Sequence, residues 1–365
     1  MPDLWDAVVI GAGPAGAVAA RELARRGVRV LLVDRAAFPR TKVCGCCLNG
    51  AALAALARLG LGRLAESGVP LTSVKLGAGG ASATVNLATG VALARSELDH
   101  ALVKEAQAAG AAFHDGTTAK AESRSDESIS ICLNESQVTA KIVVVASGLS
   151  AQARVQAGSR IGGGVILEKA PEHYSRGTIF MATAPGGYVG LVRLADESLD
   201  VAAAFDPEFV RTEGGLGPAA VAILKRTGWP AIPELADLSW KGTPALTRRR
   251  GAVAERRIFA VGDAAGYVEP FTGEGMAWAI ASAAALAPIA ARASADWNDA
   301  YIDQWKREQA RIVGRRQWVC RAAARVLRSP ALTGVVVRAL AAMPMLARPV
   351  VSFLNRPVHS HGRLA

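Results

Sequence analysis

Three glycines, Gly11, Gly13 and Gly16, followed by Asp34, have the types and spacing to hold a nucleotide by its phosphates. One glycine permits a tight turn, one lets the backbone approach a pyrophosphate, and one lets a helix pack closely on a strand. Asp34 would accept hydrogen bonds from ribose hydroxyls. Ala15, between the second and third glycines, and Arg35, beside the carboxylate, belong to the same candidate site. A second set lies far down the chain: Gly262 and Asp263, then Gly273, Glu274, Gly275 and Met276. Asp263 suits a ribityl chain or a phosphate-bridging water, and the backbone near Gly275 starts a helix whose dipole favours negative charge on a reduced ring. Two glycine-rich junctions at opposite ends of one chain imply one long ligand closed between them, and FAD has that length.

These residues need elements to position them. The apolar run at residues 7–10 predicts a buried strand, residues 15–26 have the spacing of an amphipathic helix, and residues 28–33 predict a second strand ending at Asp34. Residues 257–261 predict the short strand that leads into Gly262. Residues 129–133 alternate and pair with 137–141 as a hairpin through Asn134, Glu135 and Ser136. The solid apolar run 142–146 then reads as a return strand of a parallel sheet.

Three blocks carry a resemblance: the N-terminal glycines, the segment from Phe38 to Gly45, and the block from Gly262 to Met276. They resemble the glutathione-reductase-type FAD superfamily and, within it, the group of geranylgeranyl reductases, aromatic hydroxylases and flavin-dependent halogenases. The middle block, with Lys42, Cys44 and Gly45, most resembles geranylgeranyl reductases, in which this stretch lies beside the flavin. The resemblance implies that Cys44, Gly45 and Arg95 contact FAD. Arg95 precedes a predicted helix opened by Ser96 and Asp99 as a capping box. Two features depart from the group. Where hydroxylases carry Asp-Gly after the strand ending at Ala146, this chain has Ser147 and Gly148, and no two tryptophans are spaced as in the Trp-x-Trp motif of halogenases.

The candidate catalytic residues are Cys44, which next to a flavin could donate a proton or tune the ring, and Lys42, which could stabilise an anionic flavin or bind a carboxylate substrate. A small residue permitting close approach, and a solvated loop lysine, are the plainer roles of the two. The cysteines at 44, 46 and 47 lack a second pair at zinc spacing, so no metal is expected.

Composition fits a globular enzyme: 365 residues, 51% hydrophobic and 20% charged. Such a chain can bury a large core and form more than one domain. The fold class expected is α/β, an FAD-binding Rossmann-like domain with a parallel sheet, plus an antiparallel-sheet substrate domain and C-terminal helices. The flavin domain is expected over 1–71, 88–160 and 245–295, the substrate sheet over 72–87 and 161–244, and the helical region over 296–365. In the middle region short alternating or β-branched stretches such as 178–181, 188–192 and 200–205 are separated by glycine and proline turns. Tyr188 and Trp240 lie there as candidate cavity walls. The glycine run 162–164 lacks the acidic residue and strand-helix-strand frame of a second fingerprint. The reductant, NAD(P)H or an electron-donor protein, is therefore expected to bind transiently.

The net charge of +11 comes without basic runs interleaved with aromatics, so nucleic acid is not an expected partner. Asp3 and Asp6 occupy the place of a secretion signal, giving a cytoplasmic expectation. Trp297, Tyr301 and Trp305 recur at helical spacing and predict core packing. Residues 321–356 alternate arginines with apolar groups. Docking on the flavin domain is the first reading of this tail, and peripheral contact with a membrane surface the second. The chain is thus read as an FAD-dependent oxidoreductase, a reductase or monooxygenase, of a hydrophobic lipid, isoprenoid or polyketide-like substrate. Halogenation and substrate-free electron transfer are the alternatives.

Overall fold

The apolar N-terminal run forms the strand Leu4–Ile10 in a computed structural model that describes residues 4–43, 46–269, 271 and 273–357. Ala7, Val8 and Val9 are fully buried, as expected for a strand covered on both faces. It runs parallel between Val30–Val33 and Ser136–Val145, with Ala7 opposite Val30 and Val8 opposite Val143. Ala112–His114 extends the sheet in parallel beyond Val30–Val33, and Ile258–Ala260 extends it beyond Ser136–Val145. The predicted hairpin is present, with Ile129–Leu133 paired to the start of Ser136–Val145 and Asn134 at φ 51° in its turn. Residues 142–145 are not a separate return strand but the far half of the same ten-residue strand.

Helices α1 (Pro14–Ala24), α2 (Gly50–Arg58) and α3 (Arg95–Ala108) accompany this sheet, and α4 (Pro207–Glu213) and α5 (Leu216–Thr227) accompany a second sheet. The C-terminal helices are α6 (Gly275–Ala295), α7 (Ala300–Leu327), α8 (Pro330–Ala342) and α9 (Arg348–Asn355). Alanine dominates α6, so it lies close against α1 and α2. Although long and apolar enough to cross a bilayer, α6 is mostly buried inside the protein. Trp305 on α7 is fully buried and donates from Nε1 to the carbonyl of Ala260, while Trp297 and Tyr301 pack against the same core.

The second sheet runs in the order Lys241–Ala245, Ile161–Leu167, Leu199–Phe205, Gly187–Arg193, Thr178–Ala184, Ser73–Ala78, Ala81–Asn86. The expected all-antiparallel pattern needs one correction: Thr178–Ala184 and Ser73–Ala78 pair in parallel, Phe180 opposite Lys75. The hairpin 73–86 is inserted from a distant part of the chain and joins in the direction its entry dictates. Phe180, Leu191, Val201 and Phe205 pack against Ile223, Leu224 and Trp229 to form a separate core under α5. Gly162–Gly164 lie within Ile161–Leu167, where a Cβ on Gly164 would come 3.0 Å from Val43 and one on Gly163 3.1 Å from Trp240. Small residues here let the loop before Cys44 and the Trp240 ring lie flat on the sheet.

Candidate functional site

The glycines of the first junction serve different ends. Gly11 has φ +104° and an added Cβ would lie 2.5 Å from the carbonyl oxygen of Ala146, while one on Gly16 would lie 1.7 Å from that of Gly11. Both are required by the turn and by helix packing. Gly13 is different: its backbone is ordinary extended chain at φ −72°, ψ −175°. An added Cβ there would meet only the tips of Arg40 and Arg95, at 3.5 and 3.9 Å. Among the described residues nothing demands glycine at position 13, which leaves room beside it for a ligand.

That space is built for an anion. Gly13 caps α1 without a side-chain hydrogen bond, and the first turn holds no acidic residue, leaving the helix dipole and its free N–H groups facing it. Arg40 lies 3.3 Å from Asp99 and 3.6 Å from Asp34, with its buried Nε lacking a partner among the described residues. Arg95 is held by Asp99 through two bonds, Nε to Oδ1 at 2.9 Å and Nη2 to Oδ2 at 2.8 Å. This corrects the capping box: α3 starts at Arg95 without a side-chain cap, and Asp99, fully buried one turn on, orients a guanidinium instead. Asp34 accepts from the N–H of Ala12 at 2.8 Å and of Ala36 at 3.0 Å, which fixes its carboxylate at the end of Val30–Val33. Arg35 beside it is exposed.

The second junction meets the first. A Cβ on Gly262, at φ +59°, would fall 2.8 Å from that of Ala15, so α1 and the 262–265 turn touch. Asp263 on that turn faces Lys42 electrostatically. Both side chains are half-buried. Burial and the neighbouring Arg95 push the Lys42 ammonium down, opposed by Asp263; burial pushes the Asp263 carboxyl up, opposed by Lys42 and Arg95. Gly273, at φ +68°, and Gly275 have open space where a side chain would stand, apart from the Tyr267 ring 3.7 Å from Gly275. Met276 buries its side chain in the core, so only its backbone could serve a ligand. Cys44 and Gly45, together with Pro270 and Thr272, lie outside the described residues.

Glu274, immediately before α6, is buried and engaged from α7. Arg316 donates to Oε1 and Cys320 approaches Oε2 at 3.9 Å, while burial raises the carboxyl and Arg316 opposes it.

Sequence reasoning missed several residues. Asp200 is buried beside Cys46, with Oδ2 lacking a partner among the described residues and burial raising its pKa to about 7 against the pull of the Cys46 thiol and Arg95. Arg160 is buried with Nη1 3.1 Å from Glu269 and Nε 3.2 Å from Asp206, joining the second sheet to the loop before α6. Beside that pair, Tyr188 is buried, its hydroxyl also lacking a partner among the described residues. Its ring meets Phe271 edge-on at 5.1 Å, within an apolar cluster that includes Met181, Leu149 and Leu327. Trp240, by contrast, donates to the carbonyl of Leu235 and belongs to the second core.

Residues 5–169 match the FAD binding domain family. The menaquinone reductase of Mycobacterium tuberculosis is 36% identical over 169 residues, 44% of this chain and 40% of the relative. The chain therefore carries an FAD binding domain over residues 5–169 and is similar to named reductases beyond it. Digeranylgeranylglycerophospholipid reductase 2 of Methanosphaera stadtmanae is 27% identical over 80% of the chain and 79% of the relative. A solved geranylgeranyl bacteriochlorophyll reductase-like protein from Thermoplasma acidophilum superposes with TM-score 0.77 at 17% identity, over 92% of this chain and 91% of the other. Halogenases share the same fold. The residues present fit FAD: an anion cradle at Gly13, Arg40 and Arg95, a fixed ribose acceptor in Asp34, and a second glycine junction in contact with the first.

Proposed function

We propose that this chain is a flavin-dependent reductase of a carbon-carbon double bond in a polyprenyl lipid. One observation carries the reading. The apolar cluster around Tyr188, Phe271 and Met181 is contributed by both the second sheet and the loop before α6, and two relatives bear the names of reductases acting on prenylated lipids. Arg40 and Arg95 would hold the pyrophosphate, Asp34 the adenosine ribose, and Asp263 the ribityl end.

FAD, when bound and reduced, supplies a hydride equivalent. Lys42, its proton affinity lowered by burial and by Arg95, is a side chain that can hold or release a proton at Nζ. Tyr188 can donate from its hydroxyl to a polar group of the substrate, while Phe271, Met181 and Leu149 exclude water from a hydrocarbon chain. The reductant, NAD(P)H or an electron-donor protein, would come and go.

Anaerobic single-turnover kinetics test the reaction type. Photoreduced holoenzyme mixed with menaquinone without oxygen is expected to reoxidise, releasing a product that stays two hydrogens heavier after air has returned any quinol to the quinone, because a side-chain double bond has been saturated. Reoxidation that requires oxygen, with oxygen in the product, would instead assign the protein to the hydroxylases.

A further inference from the structure

The net charge of +11 is concentrated at one end: no Asp or Glu follows Glu308, whereas ten arginines do. The rest of the chain is therefore nearly neutral. Within this basic stretch, α7 packs into the core, and α8 packs on the edge hairpin of the second sheet through Val337 and on the end of α7 through Thr333, whose hydroxyl donates to the carbonyl of Val326. Beyond α8 the chain bends by 118° into the segment ending in α9, which anchors on α2 through the Asn355 carboxamide oxygen, an acceptor for the N–H of Gly50 at 2.7 Å. The outer surface of this elbow is apolar: Val335 is 58% exposed, Met345 56%, Met343 and Leu346 52%, and Val350 50%, with Leu332 also exposed. Exposed Arg338 and Arg348 flank them. So many exposed large apolar side chains within some twenty residues call for a partner.

We propose that the face from Leu332 to Val350 seats the protein on an anionic membrane surface. Charge chooses this occupant. Apolar side chains would enter the acyl boundary while the arginines meet lipid phosphates, and each such arginine adds to binding. A second copy of the chain would bring an equally basic face and be repelled. The packed inner side of α8 also reaches the apolar cluster of the proposed site: Leu76 packs both against the cluster of Met181 and Tyr188 and against that of Val337 with Leu340. A membrane-seated α8 therefore lies on the side from which a hydrocarbon substrate would come. Only this last point rests on the proposed reaction, because vesicle binding is read without substrate.

The test is co-sedimentation of the full-length holoprotein with phosphatidylglycerol vesicles and with phosphatidylcholine vesicles, at low and high salt. Binding is expected to the anionic vesicles, weakened by salt. The paired substitution Val335→Glu and Leu346→Glu, at exposed positions, is expected to weaken it by about tenfold or more, with flavin content and circular dichroism unchanged. An intact protein that stays in the supernatant with anionic vesicles overturns the proposal, as does a doubly substituted protein that sediments like the parent. A dimer in gel filtration that the same substitutions dissociate, with vesicles ignored, would assign the face to self-association. A protein that binds vesicles but fails to reduce menaquinone leaves this proposal standing and overturns the proposed reaction.

Discussion

Gly13→Val is expected to fold and to lose its flavin. The backbone at Gly13 lies in a region open to any residue, and the added carbon meets only guanidinium tips at 3.5 and 3.9 Å, so the apoprotein tolerates the side chain. The branched side chain would occupy the space that the pyrophosphate needs between the start of α1, Arg40 and Arg95. Losing even one charge-assisted contact there removes roughly 1.5–3 kcal/mol. With steric exclusion added, FAD affinity should fall by about a hundredfold or more. Fluorescence titration of apoprotein with FAD, beside a thermal melt of the apo forms, gives both halves of the result. Unchanged affinity would remove the cradle as the phosphate site. The contrasting change Gly16→Val should fail to fold, because its Cβ collides with the carbonyl of Gly11 at 1.7 Å.

Arg160→Met should be among the most destabilising single changes outside the apolar cores. Arg160 is 2% exposed and the Glu269 side chain fully buried, so removing the guanidinium leaves a carboxylate without its main compensating charge. Burial already raises the Glu269 carboxyl, and Arg160 is the first of the groups that oppose this. Breaking a buried pair from one side typically loses about 3–5 kcal/mol, which for a protein of this size is a fall in Tm of about 4–7 °C. Adding Glu269→Met should restore most of it, since an apolar pair of similar volume needs no compensation. A single variant within about 1 kcal/mol of the parent would show that Glu269 takes up a proton, or Arg328 at 3.7 Å substitutes, at negligible loss.

The residues that sequence reading found and those it missed differ in how far along the chain their partners lie. Gly11, Gly16 and Asp34 were legible because a turn, a helix start and a strand end follow one another locally, and each glycine answers to a neighbour close in sequence or to the adjacent strand. Asp99 was visible too, but its spacing after Ser96 fits a cap as well as its spacing after Arg95 fits an ion pair on one helix face. The buried guanidinium decided the matter. Arg160 and Glu269 are 109 positions apart, and no periodicity links them. Asp200 sits in a largely apolar strand whose pattern announces burial without announcing that a carboxyl must be kept there beside Cys46. The parallel pairing of Ser73–Ala78 with Thr178–Ala184 likewise follows from where a distant hairpin enters the sheet, information that alternation within either strand does not contain.

The most direct measurement is the absorbance spectrum of freshly purified protein, taken before and after acid precipitation, with the released chromophore identified by mass. Flavin bands and stoichiometric release of FAD are the expected outcome, or their appearance once FAD is added to the apoprotein. A colourless protein that takes up no FAD in excess would contradict the joint closure of the two glycine junctions on that cofactor, and with it the reading of Lys42, Arg95 and Asp263 as its surroundings.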